Sequence, residues 1–190
     1  MTIYQPAEDS WLLSETLEKY LKDKLKNKEI DKDIQILDMG SGSGIQAQTC
    51  KKLGFNNVNC ADINQESVNL LKNKGFDSIQ SNLFSNINKK QKFDLIIFNP
   101  PYLPEDKREP KDSQLQTTAG KKGCEIILEF LKQSKHHLNK NGAILLLFSS
   151  LSKPNIIKNK AKELDFKIKK LNKKNIFFEQ LFVDLLNKTN

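Results

Sequence analysis

The chain has 190 residues, of which 37% are hydrophobic and 28% are charged, a composition ordinary for one soluble domain with one buried core. No stretch approaches the roughly 18 to 20 consecutive apolar residues of a membrane span, and the N-terminus is polar where a signal peptide needs an apolar run. These observations predict a single cytoplasmic domain over residues 1–190 and argue against a membrane protein.

The net charge is +8, from 31 Lys and Arg against 23 Asp and Glu. This excess favours an acidic partner such as nucleic acid, the ribosome or an acidic protein. The lysines are scattered without interleaved aromatic residues, so solvated helix faces are the simpler explanation. The three cysteines, Cys50, Cys60 and Cys124, are odd in number and lack CxxC spacing. Neither a disulfide framework nor a metal site is therefore predicted, and we expect reduced, mostly buried thiols.

Helices and strands alternate along the chain. The first helix follows Glu8 and Asp9 and places Leu13, Leu17 and Leu21 on one face. Strands are predicted over 35–39, 58–62, 78–81, 93–98 and 143–149, and further helices over 45–53, 66–74, 124–138 and 154–164. A polar loop is predicted over 104–118, and Asn141-Gly142 is expected to mark the end of the helix over 124–138. Two more β-like stretches, 166–171 and 175–186, are joined by a tight polar connection.

Several of the strands are apolar on both faces, as in Leu95-Ile96-Ile97-Phe98, which is typical of buried parallel strands. The fold class is therefore α/β, doubly wound, with a mostly parallel seven-stranded sheet. The final two stretches resemble a hairpin, so one antiparallel strand is expected at the C-terminal end.

A glycine-rich turn follows the first strand. Asp38 precedes Gly40, Gly42 and Gly44, where exposed backbone amides allow a nucleotide-like ligand to approach closely. The even spacing differs from that of dinucleotide-binding dehydrogenases and suits a cofactor without a pyrophosphate. The Asp38 carboxylate matches the cationic amino-acid end of such a cofactor, whereas it would repel a pyrophosphate. A purely structural turn is the alternative.

Two further strand ends carry polar side chains. Asp62 ends the second strand, from which a carboxylate can accept hydrogen bonds from both hydroxyls of a ribose. After the third strand, Asn82 suits the adenine amino group and Leu83 suits packing on the adenine ring. An ordinary loop cap explains Asn82 equally well.

The fourth strand ends in Asn99-Pro100-Pro101-Tyr102. The prolines fix the backbone and remove two N–H groups, which leaves carbonyls free to accept from a substrate NH2 group. The Asn99 side-chain oxygen can take the second proton, and Tyr102 can stack on a planar group. Such a loop holds a planar nitrogen towards the methyl sulfonium of S-adenosylmethionine, so catalysis is mostly orientation for in-line displacement. The alternative is a structural strand terminator.

Together, Gly40 to Gly44, Asp62-Ile63-Asn64 and Asn99 to Tyr102 resemble the class I methyltransferases of the HemK/PrmC type, which methylate the glutamine of the Gly-Gly-Gln loop in translation release factors. The N-terminal run from Tyr4 to Leu13 and the run from Ala119 to Gly123 are similar to the short archaeal and eukaryotic branch of this family. That branch lacks the helical substrate domain of the bacterial enzymes.

The resemblance implies a Rossmann-like fold, S-adenosylmethionine as cofactor, and a role in translation termination. Carried over by position, it implies that these residues contact the cofactor or lie beside it: Ser10, Asp38, Gly40, Asp62, Asn82, Leu83 and Asn99. Asn99, Pro100 and Tyr102 would hold the substrate amide. Asn82 stands where members usually have Asp, which weakens one adenine contact but can preserve hydrogen bonding. Asp38 stands where many have Glu, which shortens its reach by one methylene; neither change removes the chemistry.

The resemblance also implies a partner. Members of the short branch work with a small zinc-binding activator protein, which adds a strand beside the methyltransferase sheet, and Val58 to Ala61 is a candidate for that surface. A monomer is the alternative. A nucleic-acid methyltransferase acting on adenine or guanine amino groups is the main rival function, because the same loop geometry serves a flipped base. A non-catalytic protein that binds the cofactor for stability is a third alternative.

Overall fold

The computed structural model describes residues 3–103 and 120–189, so the loop predicted over 104–118 lies outside the described residues. Within these described residues, five α-helices and seven strands occur in the following order: α1 Glu8–Lys26, β1 Ile36–Met39, α2 Ile45–Lys52, β2 Val58–Asp62, α3 Gln65–Asn73, β3 Asp77–Gln80, β4 Phe93–Phe98, α4 Glu125–Ser134, β5 Leu138–Ser149, α5 Pro154–Glu163, β6 Phe166–Ile176 and β7 Glu179–Lys188.

All seven strands form one sheet in the order β3-β2-β1-β4-β5-β7-β6. The strands β1 to β5 pair in parallel, and β7 is antiparallel to both of its neighbours, β5 and β6. The predicted α/β class and the single antiparallel strand are confirmed. Because only β7 is reversed, the carboxyl ends of the six other strands meet at the same edge of the sheet.

Helices cover both faces of the sheet. In β4, Leu95 and Ile97 pack in a cluster with α1 and α2, whereas Ile96 and Phe98 pack in a second cluster with α4 and α5. Side chains alternate between the two faces of a strand, so a strand buried on both sides must be apolar throughout. This is why the short apolar runs in the sequence predicted the central strands closely. The three cysteines are free and buried.

Two predicted boundaries are wrong. The helix α4 ends at Ser134, a single 3-10 turn follows over Lys135–His137, and β5 begins at Leu138. Asn141-Gly142 therefore lies inside β5 and does not end a helix. At Gly142 an added Cβ would come within 2.9 Å of the Phe93 carbonyl oxygen, so this glycine permits close approach of two backbones in the sheet.

The connection between β6 and β7 also differs from the prediction. The polar run Asn172–Lys174 pairs within β6, and the chain turns three residues later, at Phe177 and Phe178. β6 is an edge strand, so polar side chains on it face water without breaking the hydrogen-bonded ladder. A polar run was therefore a poor indicator of a turn here.

The proposed contribution of Val58–Ala61 to an added strand is wrong as well. β2 is paired on one side with β1 and on the other with β3, so its backbone has no free edge.

A membrane-spanning helix needs a long apolar stretch, and none of the helices in the described part of the chain has one.

Candidate active site

A cavity of about 440 Å³ opens at the carboxyl edge of the sheet, within the 300 to 1,000 Å³ typical of sites for cofactors and other small ligands. The structure brings almost every predicted site residue into its lining: Ser10, Asp38, Gly40, Gly42, Asp62, Asn82, Leu83, Asn99, Pro100, Pro101 and Tyr102. Gly44 is the predicted site residue that does not line it. Five sequence segments, distant along the chain, thus meet at one place.

The three glycines of the turn all have positive φ values, of 62°, 52° and 82°, a region that favours glycine. At Gly40 an added Cβ would contact the Phe98 ring at 3.4 Å. At Gly44 it would come within 2.4 Å of Leu71 Cδ2. Gly44 therefore allows α2 to pack closely on α3, while Gly40 and Gly42 present backbone to the cavity.

Asp38 is 1% exposed, and its Oδ2 accepts a hydrogen bond from the backbone N–H of Ala47 at 3.0 Å. Burial raises the pKa of Asp38 to about 7, opposed by the Ala47 hydrogen bond. Repulsion from the Asp62 carboxylate also raises the pKa of Asp38, by less than burial does. The carboxyl group therefore titrates near neutral pH unless a cation enters the cavity.

Both carboxylate oxygens of Asp62 are held by backbone donors. Gly42 N–H donates to Oδ2 at 2.7 Å, and Asn64 N–H donates to Oδ1 at 2.8 Å. Burial nevertheless raises the pKa of Asp62 above its ordinary value. Since a carboxylate oxygen accepts more than one hydrogen bond, each retains acceptor capacity towards the cavity. Asp62 is thus preorganised to receive two neighbouring hydroxyls.

Leu83 is a non-glycine residue in the left-handed region, with φ of 49°. The Ser81 hydroxyl donates to the Leu83 carbonyl at 2.6 Å and holds this conformation. Strained backbone of this kind persists where surrounding contacts impose it, and it concentrates at ligand sites. Leu83 and the exposed Asn82 line the cavity side by side, as an apolar wall and a polar amide.

The Asn99 side chain is oriented by a residue that the sequence did not single out as part of the site. Its Nδ2 donates to Asp9 Oδ2 at 3.0 Å. A carboxylate only accepts hydrogen bonds, so the amide nitrogen must face Asp9 and the oxygen must point away. That oxygen, Oδ1, is buried and has no hydrogen-bond partner. It is a free acceptor in the wall of the cavity.

Asp9 is itself held in place. It is 4% exposed, and it accepts from the Ser10 backbone N–H at 2.6 Å, from the Ser10 hydroxyl at 3.2 Å and from the Tyr4 hydroxyl at 3.2 Å. The first turn of α1 is therefore anchored against the end of β4.

Tyr102 lies half-buried at the cavity, and its carbonyl accepts from the Ser152 hydroxyl at 2.9 Å. Burial raises the pKa of the Tyr102 phenol, and the nearby carboxylates of Asp9 and Glu179 raise it further. The phenol therefore stays neutral, and the ring offers a planar surface beside the cavity.

Gln46 is a second residue that sequence reasoning missed. Its Nε2 donates to the Ser10 carbonyl at 3.0 Å, and its Oε1 is buried without a hydrogen-bond partner. With Asp38 and Asn99, it makes the wall of the cavity rich in acceptors. The signal in the sequence was weak, because a single Gln in a helix seldom marks a site.

Among the described residues, no three His, Cys, Asp or Glu side chains are grouped as metal ligands would be.

Comparison with known proteins agrees with this geometry. Residues 14–174 match the family model "Methyltransferase small domain". Over 189 residues the chain is 36% identical to a protein of Methanocaldococcus jannaschii assigned as a protein N5-glutamine methyltransferase, covering 95% of this chain and 89% of that protein. It is 40% identical over 82 residues to the release factor glutamine methyltransferase of Fusobacterium nucleatum, covering 39% of this chain and 23% of that protein.

A solved structure has the same fold. The E. cuniculi Mtq2-Trm112 complex, described as responsible for methylation of the termination factor eRF1, superposes with a TM-score of 0.75 at 22% identity over 100% of both chains. The family model covers most of the chain, and the 36% identity to the M. jannaschii protein extends over nearly the full length of both proteins. The chain belongs to the small-domain methyltransferases and, among them, to the HemK/PrmC-type protein glutamine N5-methyltransferases.

Proposed function

We propose that this protein transfers a methyl group from S-adenosylmethionine to the side-chain nitrogen of the glutamine in the Gly-Gly-Gln loop of a translation release factor. The observation that carries the proposal is the buried, unpaired Oδ1 of Asn99, whose direction is set by the hydrogen bond from Nδ2 to Asp9. Such an acceptor fits an N–H of a planar nitrogen, and the kinship with protein N5-glutamine methyltransferases favours the primary amide of glutamine.

The residues of the cavity fit the cofactor. Its amino-acid end carries an ammonium group, for which Asp38 and the unpaired Gln46 Oε1 are acceptors. Asp62 suits the ribose hydroxyls, while Asn82 and Leu83 suit adenine. Gly40 and Gly42 leave room for close approach of a ligand to the backbone, and Ser10 and Asn99 flank the same space.

The cofactor, when bound, supplies an electrophilic methyl group on a sulfonium centre. The protein's own groups orient the acceptor: Asn99 Oδ1 accepts one amide hydrogen, the carbonyl groups of the proline pair accept the other, and Tyr102 lies against the amide plane. Transfer would break the bond between the methyl carbon and sulfur, leave its electron pair on sulfur and release one proton from the acceptor nitrogen to water. Because orientation can contribute several orders of magnitude in rate, no strong base is required.

Cofactor binding should depend on pH through Asp38. Its pKa of about 7 in the free protein means that the carboxyl is largely neutral at pH 6, whereas the cofactor ammonium favours the charged form. Binding therefore releases a proton, and the Kd should rise up to about tenfold per pH unit below 7. Isothermal titration calorimetry in buffers of different ionisation enthalpy measures this proton release.

The variant Asp38→Asn is the control for that measurement. It should bind the cofactor more weakly at pH 8 and lose the proton release. It should also stabilise the free protein at pH 8, because the destabilisation by the Asp38 charge grows as the pH rises from 3.8, the ordinary pKa of the carboxyl, to about 7 and is fully present above that pH. A wild-type Kd that is flat between pH 5.5 and 8 would exclude this role for Asp38.

We also propose a small activator subunit, as in the short branch of the family. The free edge of β3, Asp77–Gln80, is the place where a partner strand can pair. Ile79 on this strand is 41% exposed and Ile63 near it is 48% exposed, so the edge offers apolar contacts as well as backbone hydrogen bonds.

The proposed function is tested with purified protein, radiolabelled S-adenosylmethionine and the release factor of the same organism, with and without the activator subunit. Label should appear in the Gly-Gly-Gln peptide after proteolysis, as one methyl group on glutamine. Transfer of label to RNA or DNA, with none to the release factor, would favour the rival nucleic-acid function instead.

A further inference from the structure

The hairpin between β6 and β7 ends in two fully exposed aromatic residues, Phe177 and Phe178. Large apolar side chains are usually buried, and each Phe kept in water forgoes the favourable free energy of burying an aromatic ring. Turn chemistry does not explain them either. Two-residue hairpin turns favour Gly, Asn or Asp with positive φ, and neither Phe has a positive φ.

The hairpin tip projects past the edge of the sheet that carries the cavity. The last pair between β5 and β7 is Ser149 with Leu181, so the pair of Ile176 with Glu179 and the turn lie beyond the end of β5. β7 is two positions from β4 in the sheet. Strands lie about 4.8 Å apart, so the tip is displaced sideways from the end of β4 by about 10 Å.

Hydrogen bonds join the tip to the loop that holds Tyr102. The Ser149 hydroxyl donates to the Glu179 carboxylate, and the Gln180 backbone N–H donates to the Ser150 hydroxyl at 3.0 Å. Two residues further on, the Ser152 hydroxyl donates to the Tyr102 carbonyl at 2.9 Å. The tip is therefore held in a defined position relative to Tyr102.

The turn that links the tip to Tyr102 adds a third apolar side chain. Leu151 is 41% exposed and lies in the 3-10 turn Ser150–Ser152. On its other side the hairpin contacts α1, where Lys174 pairs with Glu8 and Asn172 Nδ2 donates to Thr16 at 3.0 Å. We define Leu151, Phe177 and Phe178 as the apolar rim: three exposed side chains on the hairpin tip and on the turn that is hydrogen-bonded to Tyr102, a residue of the cavity lining.

The hairpin tip, the turn and Tyr102 are joined by hydrogen bonds. From this connection we infer that the apolar rim docks the methyl-acceptor protein, by binding an apolar segment that lies close to the methylated glutamine. The inference rests on the proposed function and adds how a protein acceptor is recognised. A free amide would need only the cavity, whereas exposed aromatic side chains beside it suit a macromolecule with apolar side chains, since aromatic anchors dominate protein interfaces.

The test compares the wild type with the double variant Phe177→Ser/Phe178→Ser. Binding of the intact release factor is measured by fluorescence anisotropy in the presence of S-adenosylhomocysteine, and methyl transfer is measured in parallel. We expect the Kd and the KM for the release factor to rise by roughly thirtyfold, the range of an interface hot spot. The Kd for S-adenosylmethionine and the thermal midpoint should not change, since both side chains are in water.

The matched control is Phe177→Tyr/Phe178→Tyr, which keeps both rings and should keep most of the affinity. If the serine variant binds the release factor as tightly as the wild type, the inference is wrong even though the methyltransferase function stands. If wild type binds the factor through the rim without methylating it, the proposed function fails and the docking surface remains.

A lipid surface is the other occupant that two exposed Phe side chains would fit. Sedimentation with vesicles of phosphatidylcholine and phosphatidylglycerol distinguishes it. Vesicle binding that disappears in the serine variant, together with an unchanged Kd for the release factor, would overturn the inference in favour of a membrane contact.

Discussion

Replacing Asn99 by Ala should lower methyl transfer to the release factor by about 10³-fold, because the change removes the acceptor that orients the amide nitrogen. The loss should fall mainly on kcat, since the group acts on the reacting nitrogen and contributes little to docking of the whole protein. Single-turnover assays with labelled cofactor measure the chemical step directly.

The binding measurement separates this role from a general loss of structure. The Kd for S-adenosylmethionine should stay within about threefold of wild type, because most of the proposed contacts lie on β1, β2 and the Leu83 turn. Asn99→Asp tests the direction of the side chain: a carboxylate beside Asp9 is repelled and cannot donate to it, so this variant should also be inactive. Full activity of either variant would refute the role of Asn99.

The second large effect is expected at Asp9, which does not need to touch the substrate. Asp9 sets the direction of the Asn99 amide through the 3.0 Å hydrogen bond from Nδ2. In Asp9→Ala the amide is free to rotate, and its nitrogen then faces the substrate in part of the molecules. We expect a decrease of about 10²-fold in kcat, the size of effect that misplacing a catalytic group by about 1 Å produces.

Asp9→Asn should recover part of this loss. Its amide oxygen still accepts from Asn99, although the bond is no longer charge-assisted and is roughly half as strong. Tyr4→Phe is the matched control, since it removes another hydrogen bond to Asp9 and leaves the bond to Asn99 intact. It should retain nearly full activity. Equal activities of Asp9→Asn and Asp9→Ala would show that Asp9 acts only through folding.

The sequence predicted the sheet well because its central strands are short, apolar on both faces and followed by distinctive residues. Asp38, Asp62 and Asn99 each end a parallel strand, so the topology rule for such sheets places them together without any knowledge of distances. The resemblance to a family of methyltransferases, carried by the same residues, is confirmed by the comparisons.

What sequence reasoning missed depends on contacts between distant segments. Asp9 and Asn99 are 90 residues apart, and nothing in the local pattern around Asp9 distinguishes a positioning residue from an ordinary acidic residue in the first turn of a helix. Gln46 likewise becomes part of the site through a contact with a distant segment, the hydrogen bond from its Nε2 to the Ser10 carbonyl in α1. The misplaced hairpin turn has another cause: an edge strand tolerates a polar run that a buried strand would not.

The position of β7 links completion of the sheet to the order in which the chain is made. This strand, residues 179–188, pairs with β5 on one side and with β6 on the other, and its Val183 and Leu181 are fully buried. A nascent chain that has emerged only as far as β6 therefore leaves one side of β5 unpaired. β6 also has no neighbour in the sheet until β7 inserts between them. The links from Glu179 and Gln180 to the turn behind Tyr102 form at the same late moment, so the hairpin tip takes its position beside Tyr102 only after this strand has been made.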